Sequence, residues 1–191
     1  MKKNPERTEA RRMEIICAAR DLFLEKGFEA TSIRMIQERV GKQVAVFYYY
    51  FESKDQVFDE AVNLFLKEYR QALSETAQSE RVSPEEDLAR ILNFVRDRSR
   101  LSRQKYANKL HWSVVGAVRS NIIGLMRAHI KETLTYYMEQ GMLTGMPMGL
   151  EETSRILAYS FGGDILYSED LQDPDHPSEM LQLLPMLLGN R

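Results

Sequence analysis

The stretch Gly41–Lys54, read GKQVAVFYYYFESK, constrains the fold more than any other part of this chain. Val44, Val46, Phe47 and the tyrosines at 48, 49 and 50 are β-branched or aromatic, types that suit a pleated sheet and are mediocre in helices. Taken alone, the stretch suits strand and helix equally. Its neighbours break the tie. Upstream, Ile33, Ile36 and Val40 recur at helical spacing, and Gly41 follows as a C-terminal stop, since glycine enters left-handed backbone without steric cost. Downstream, Ser53 and Gln56 form a capping-box pattern before an apolar repeat at Val57, Phe58, Ala61, Val62, Phe65 and Tyr69. A strand pinned between two helices, with no partner strand nearby, leaves its backbone groups unsatisfied, so a short helix is expected. Helix, glycine turn and second helix make a helix-turn-helix, whose second helix enters a DNA major groove.

The run from Ile15 to Phe58 resembles the DNA-binding domain of the TetR/AcrR family of bacterial transcriptional regulators. The matching pieces are Ile16, Ala19, Leu22-Phe23, Gly27-Phe28, Thr31-Ser32-Ile33, Ile36, Gly41, Phe47-Tyr48, Phe51 and Ser53-Lys54. The resemblance implies a recognition helix over Val44–Tyr50, with Phe47 and Phe51 in the core and Gln43, Val44, Ala45, Val46, Tyr48 and Tyr49 facing DNA. The family usually carries a hydroxyl residue at the position of Gln43 and often glycine at that of Ala45. These departures alter the cap and the closeness of backbone approach, and with them the operator sequence. Methyl-rich Val44, Ala45 and Val46 can read thymine methyl groups, and Gln43 can pair with adenine. Tyr48, Tyr49, Lys54, Thr31, Arg34 and Lys42 are expected as phosphate anchors, which set register without reading sequence. The basic tract Lys2, Lys3, Arg7, Arg11 and Arg12 could add backbone or minor-groove contacts.

Composition is compatible with this reading. A net charge of −2 does not mark a nucleic-acid binder, but residues 1–54 hold eleven Lys/Arg against eight acids, leaving +3 there and −5 elsewhere. Phosphate contact needs local positive charge, not global. No apolar run reaches the roughly 20 residues of a membrane span, and the start MKKNPERTEARR lacks a signal-peptide core, so a cytoplasmic protein without membrane partner is expected. The single cysteine, Cys17, excludes a disulfide framework and a cysteine-based metal cage, and no cofactor is expected.

The expected fold is all-α with about nine helices. An N-terminal three-helix helix-turn-helix domain occupies 1–53, and a helical ligand-binding and dimerisation domain occupies 54–191. One helix is expected from about Glu6 to Lys26, another from Lys54 to Ala77, and a restart at Ser83-Pro84-Glu85-Glu86 with cap, first-turn proline and capping-box glutamate together. Residues 101–140 read as one or two helices, 141–149 as a loop, Leu150 to about Ser168 as a helix, and Ser178–Leu188 as a short last one.

The resemblance also implies a small-molecule effector that binds the second half and releases DNA, and a homodimer through the last two helices. Candidate pocket residues are Phe94, Tyr106, His111, Trp112, Met126, Tyr137, Met138, Tyr159 and Asp164, though such aromatic and methionine positions also serve as plain core. Tyr159, Gly162-Gly163, Leu166, Met180, Leu181, Leu183, Leu184, Leu187 and Leu188 suit close helix association. A two-fold dimer would require a roughly palindromic operator. The leading expectation is a ligand-responsive repressor. The alternatives are a constitutive DNA-binding protein and a small all-helical enzyme. Against the enzyme, His111, His129 and His176 are scattered, and no nucleophile elbow, phosphate loop or paired-histidine metal motif occurs.

Overall fold

The computed structural model describes residues 5–106, 110–143, 145–167 and 184–189. They form helices α1 (Pro5–Ala30), α2 (Ile33–Arg39), α3 (Val44–Tyr50), α4 (Lys54–Phe65), α5 (Lys67–Ala77), α6 (Pro84–Tyr106), α7 (Trp112–Glu139), α8 (Gly149–Tyr167) and α9 (Leu184–Leu188), with no strand among the described residues. The ambiguous stretch is therefore helical at Val44–Tyr50.

The chain divides into two compact units, Met1–Glu68 with Tyr106–Val118, and Tyr69–Lys105 with Arg119–Arg191. A division by motif at 53/54 differs from this one because α4 and the first turns of α7 pack into the head. Val57, Ala61 and Val114 share one core with Ile15, Ile16, Ala19, Leu22, Phe23, Ile36, Phe47 and Phe51.

Local signals set most helix starts. Ser32 accepts from the Met35 N–H at 3.2 Å, Ser53 from the Gln56 N–H at 3.1 Å, and Ser83 from the Glu86 N–H at 3.2 Å. Gln56 completes its box by accepting from the Glu52 N–H at 2.7 Å. Two helices depart from expectation. Gly27 interrupts α1 at φ 81°, ψ 176°, and the helix resumes to Ala30 instead of ending. The single helix expected over 54–77 is broken at Leu66, whose backbone lies at φ −89°, ψ 2°. No glycine or proline marks that break; Leu66 is buried, so packing rather than local chemistry holds it there. Of the last expected helix, only Leu184–Leu188 falls in the described residues.

In the head, α1 packs on α2 and α4, and α2 on α3. Phe23, Phe28 and Phe58 interlock, with ring centroids 4.9 Å apart for both contacts to Phe58 and 5.9 Å for Phe23–Phe28. One buried side chain breaks the apolar pattern. Gln37 on α2 is fully buried, and neither amide atom has a hydrogen-bond partner. Orphaning a buried polar group costs about 1–3 kcal/mol, whereas an apolar group of like shape removes the penalty. Gln37→Met is expected to raise stability by about 1–2 kcal/mol in urea unfolding. A drop in midpoint would show that the amide is satisfied in solution.

Candidate nucleic-acid interface and the second unit

The turn between α2 and α3 is built on Gly41 at φ 64°, a left-handed conformation that suits glycine, and on the Lys42 N–H donating to the Gln37 carbonyl at 2.9 Å. Beyond it, α3 is two-sided. Phe47 is buried, as is Phe51 at its C-terminal cap, their ring centroids 5.4 Å apart. Tyr48 is 60% exposed and Tyr49 54%. Gln43, Val44 and Ala45 are also exposed, and Val46 is half-buried. Gln43 supplies no side-chain cap, so the start of α3 rests on its carbonyl accepting from the Val46 N–H at 3.0 Å. A short helix anchored by two rings, with tyrosines and methyl-bearing residues outward, has the form that inserts into a groove.

The head is closed from an unexpected side. Gly27 sits under the imidazole of His111: a Cβ there would lie 2.1 Å from His111 Nδ1. Ser113 donates its N–H to His111 Nδ1 (3.3 Å), and its Oγ lies 2.9 Å from the same nitrogen. That Oγ in turn accepts the Phe28 N–H at 3.1 Å. The first turn of α7 is thus hydrogen-bonded to the end of α1.

Within the second unit, Asp87 on α6 is 2% exposed and fully engaged. One oxygen accepts from Arg90 at 2.9 Å and the other from the Tyr137 hydroxyl at 2.9 Å and from Arg81 at 3.2 Å. Arg81 also donates to the Thr133 hydroxyl at 3.1 Å. Burial, and then the hydrogen bond to Asp87, push the Tyr137 phenol up to about 12. Arg103 closes the other end of the unit by donating to the carbonyls of Ile165 (3.4 Å) and Leu166 (3.0 Å) near the C-terminus of α8, where a cation suits the helix dipole.

Residues 15–61 match the family model described as bacterial regulatory proteins, tetR family. The head is a TetR-family DNA-binding domain. Solved structures carry the likeness over nearly the whole chain at the level of fold. RolR in complex with resorcinol superposes with a TM-score of 0.62 at 21% identity, covering 94% of this chain and 90% of that one. GusR of Salmonella enterica gives 0.60 at 21%, covering 94% and 96%. A TetR-family regulator of Streptomyces coelicolor gives 0.60 at 20%, covering 99% of both chains. No curated protein sequence matches the chain. The chain thus has the all-helical fold of TetR-family transcriptional regulators, and no helix among the described residues is long and apolar enough to cross a membrane.

Within this TetR-family head, the expected DNA-facing residues separate into two groups. Lys42, Gln43, Val44, Ala45, Tyr48 and Tyr49 are exposed around α3, and Arg34 is exposed on α2, where it pairs with Glu38 at 2.7 Å. Thr31 and Lys54 are engaged internally. Thr31 is buried and donates its hydroxyl to the Gly27 carbonyl at 2.7 Å, leaving Ser32 to cap α2. Lys54 Nζ donates to the carbonyls of Phe28 (2.9 Å) and Thr31 (3.1 Å) and lies 4.1 Å from the Phe28 ring centroid. Both therefore act as staples of the α1–α2 connection in this structure. The reason is the carbonyl cluster left where α1 ends, which attracts a cation and a hydroxyl donor. From the N-terminal tract, Arg12 pairs with Glu60 and lies over the Phe51 ring, and Arg11 pairs with Glu14; Lys2 and Lys3 lie outside the described residues.

The expected pocket residues are not brought together. Tyr106, His111 and Trp112 belong to the first unit, the others to the second. Trp112 is 72% exposed, and Met138 and Tyr159 also face outward. Tyr106 packs on Phe65, His111 covers Gly27, and Tyr137 is held by Asp87. Met126 is fully buried and Phe94 meets Tyr69; the side chain of Asp164 lies outside the described residues. Helical periodicity marks which residues turn inward, but not which inward faces meet.

The residues expected to drive association also divide. Gly162 is already used within the chain, a Cβ there coming 3.3 Å from Ile123 and Met126. Leu166, Leu184 and Leu188 are buried and Leu187 is half-buried, whereas Tyr159 on α8 and Met186 on α9 are exposed. Met180, Leu181 and Leu183 lie outside the described residues.

Proposed function

We propose that this protein is a cytoplasmic, ligand-responsive repressor that binds a roughly palindromic operator as a homodimer and is released by a small molecule in its second unit. The observation that carries the DNA-binding part is the two-sided α3: Phe47 and Phe51 anchor it while Val44, Ala45, Tyr48 and Tyr49 stand outward. Val44, Ala45 and Val46 read A·T pairs through thymine methyl groups, Gln43 pairs with adenine, and Tyr48, Tyr49, Lys42 and Arg34 hold phosphates. The homodimer forms through α8 and α9, for which exposed Tyr159 and Met186 are available. The effector reading is supported by RolR with resorcinol and by FadR of Bacillus subtilis with stearoyl-CoA, the latter matching at a TM-score of 0.52 and 14% identity over 93% of this chain and 95% of that one. An effector releases DNA only to the extent that it binds the released state better.

Selection of enriched duplexes from a random pool, with binding repeated at two salt concentrations, tests this. The expected result is an inverted repeat with A·T pairs in each half-site. Lys42→Ala is expected to flatten the slope of log affinity against log salt by about one, the share of a single neutralised phosphate. Tyr48→Ala is expected to weaken binding roughly three- to tenfold, the equivalent of one hydrogen bond, on all sequences alike. An operator with only G·C pairs under α3 would overturn the readout, and no enrichment would overturn the function.

A further inference from the structure

Two buried hydroxyls inside the second unit have no hydrogen-bond partner among the described residues: Tyr69 Oη on α5 and Ser99 Oγ on α6. Each such orphan costs about 1–3 kcal/mol, so two on adjacent helices call for an explanation. Their placement is related. The Tyr69 ring meets Phe94 of α6 at 5.4 Å between centroids, Arg98 lies over the same Phe94 ring, and Ser99 follows on the buried stripe of Leu88, Leu92 and Val95. Tyr69 is half-buried as a residue while its oxygen is inaccessible, so the phenol runs inward. Burial pushes its pKa up, which keeps it a neutral donor. Thr153 Oγ1 on α8 is also unpaired but stands at a different level. It neighbours Glu151, which pairs with Arg127 and Lys131, whereas Arg70, beside Tyr69, reaches Asn121 on α7.

The charge inventory narrows the ligand. Asp87 is the one buried ionisable carboxylate or cation among the described residues, and its oxygens are taken by Arg81, Arg90 and Tyr137. An ionic guest beside Tyr69 would meet no free buried countercharge, which is costly in apolar surroundings.

We propose that Tyr69 and Ser99 are the polar anchors for a small, uncharged effector whose apolar body carries two oxygens. One oxygen accepts from the Tyr69 phenol and the other pairs with the Ser99 hydroxyl. The inference rests on the reading of the second unit as the effector domain. Its test needs no DNA, so it fails separately from the operator selection.

The full chain is titrated with phenol, resorcinol and coumarin as uncharged probes and with 3-hydroxybenzoate as the anionic control, read by calorimetry and by thermal shift. At least one uncharged probe is expected to bind and raise Tm, and the anion to do neither. Tyr69→Phe and Ser99→Ala are each expected to weaken that probe roughly three- to tenfold, the equivalent of one hydrogen bond. The ligand-free variants should be as stable as the parent or more so, because an orphan has been removed. Binding unchanged in both variants, equal binding of 3-hydroxybenzoate, or no binding of any uncharged probe to the parent would each overturn the proposal.

Discussion

Gly27→Ala is expected to destabilise the protein by about 2–4 kcal/mol, combining the strain of a backbone open almost only to glycine with overpacking. The backbone at φ 81°, ψ 176° is one that L side chains rarely adopt, and the added methyl would meet His111 Nδ1 at 2.1 Å. The two contributions separate in a cycle with His111→Ala. That replacement removes the ring under which the methyl must fit, while leaving the dihedral strain of roughly 1–3 kcal/mol. The double variant is therefore expected to be less destabilised than the sum of the singles, as measured by urea unfolding at constant m-value. Gly27→Ala within about 0.5 kcal/mol of the parent, the range of an ordinary surface change, would show that the close approach does not exist in solution. Because the Gly27 carbonyl also receives the Thr31 hydroxyl, the same variant should loosen the turn into α2.

The second large effect is expected at Asp87. Removing one partner of a buried ion pair leaves the others uncompensated and costs about 3–5 kcal/mol. Here Arg81 and Arg90 each keep some exposure, so Asp87→Ala is expected near the lower end, at about 3 kcal/mol. Asp87→Asn keeps an acceptor for Tyr137 or Arg81 and should cost less. Tyr137→Phe removes a single hydrogen bond and should cost about 1 kcal/mol. The combination of Asp87→Ala with Tyr137→Phe should fall short of additive, since the phenol is orphaned already in Asp87→Ala. Equal loss of stability in the alanine and asparagine variants, measured by chemical unfolding, would show that charge contributes nothing at this site.

The helix-turn-helix is legible in the sequence because its signals act at short range. Gly41 stops one helix, Ser53 caps another, and alternatives for the segment between them fail on backbone hydrogen bonding. The same reasoning finds Ser83 and its box. It does not find that Leu66 interrupts the helix expected over 54–77, because no local residue type forbids continuation there. Lys54 and Thr31 have the residue types of exposed anchors, and nothing within three residues of either discloses that the carbonyls of Phe28 and Thr31, or of Gly27, lie within reach. The expected pocket residues rest on type and spacing. The buried hydroxyls of Tyr69 and Ser99 carry no such mark, because an orphan is defined by what stands opposite it.

The amino-acid order alone determined where most helices begin and end and which face of each turns inward, since capping and periodicity depend on residues a turn or two apart. Tertiary structure alone decided that the first turns of α7 belong to the head, that His111 covers Gly27, and that Asp87 gathers Arg81, Arg90 and Tyr137. Those pairings join positions up to 84 residues apart in number, His111 and Gly27 being the widest of them. Periodicity states that a face is buried but not against what, and only the packed chain supplies the partner.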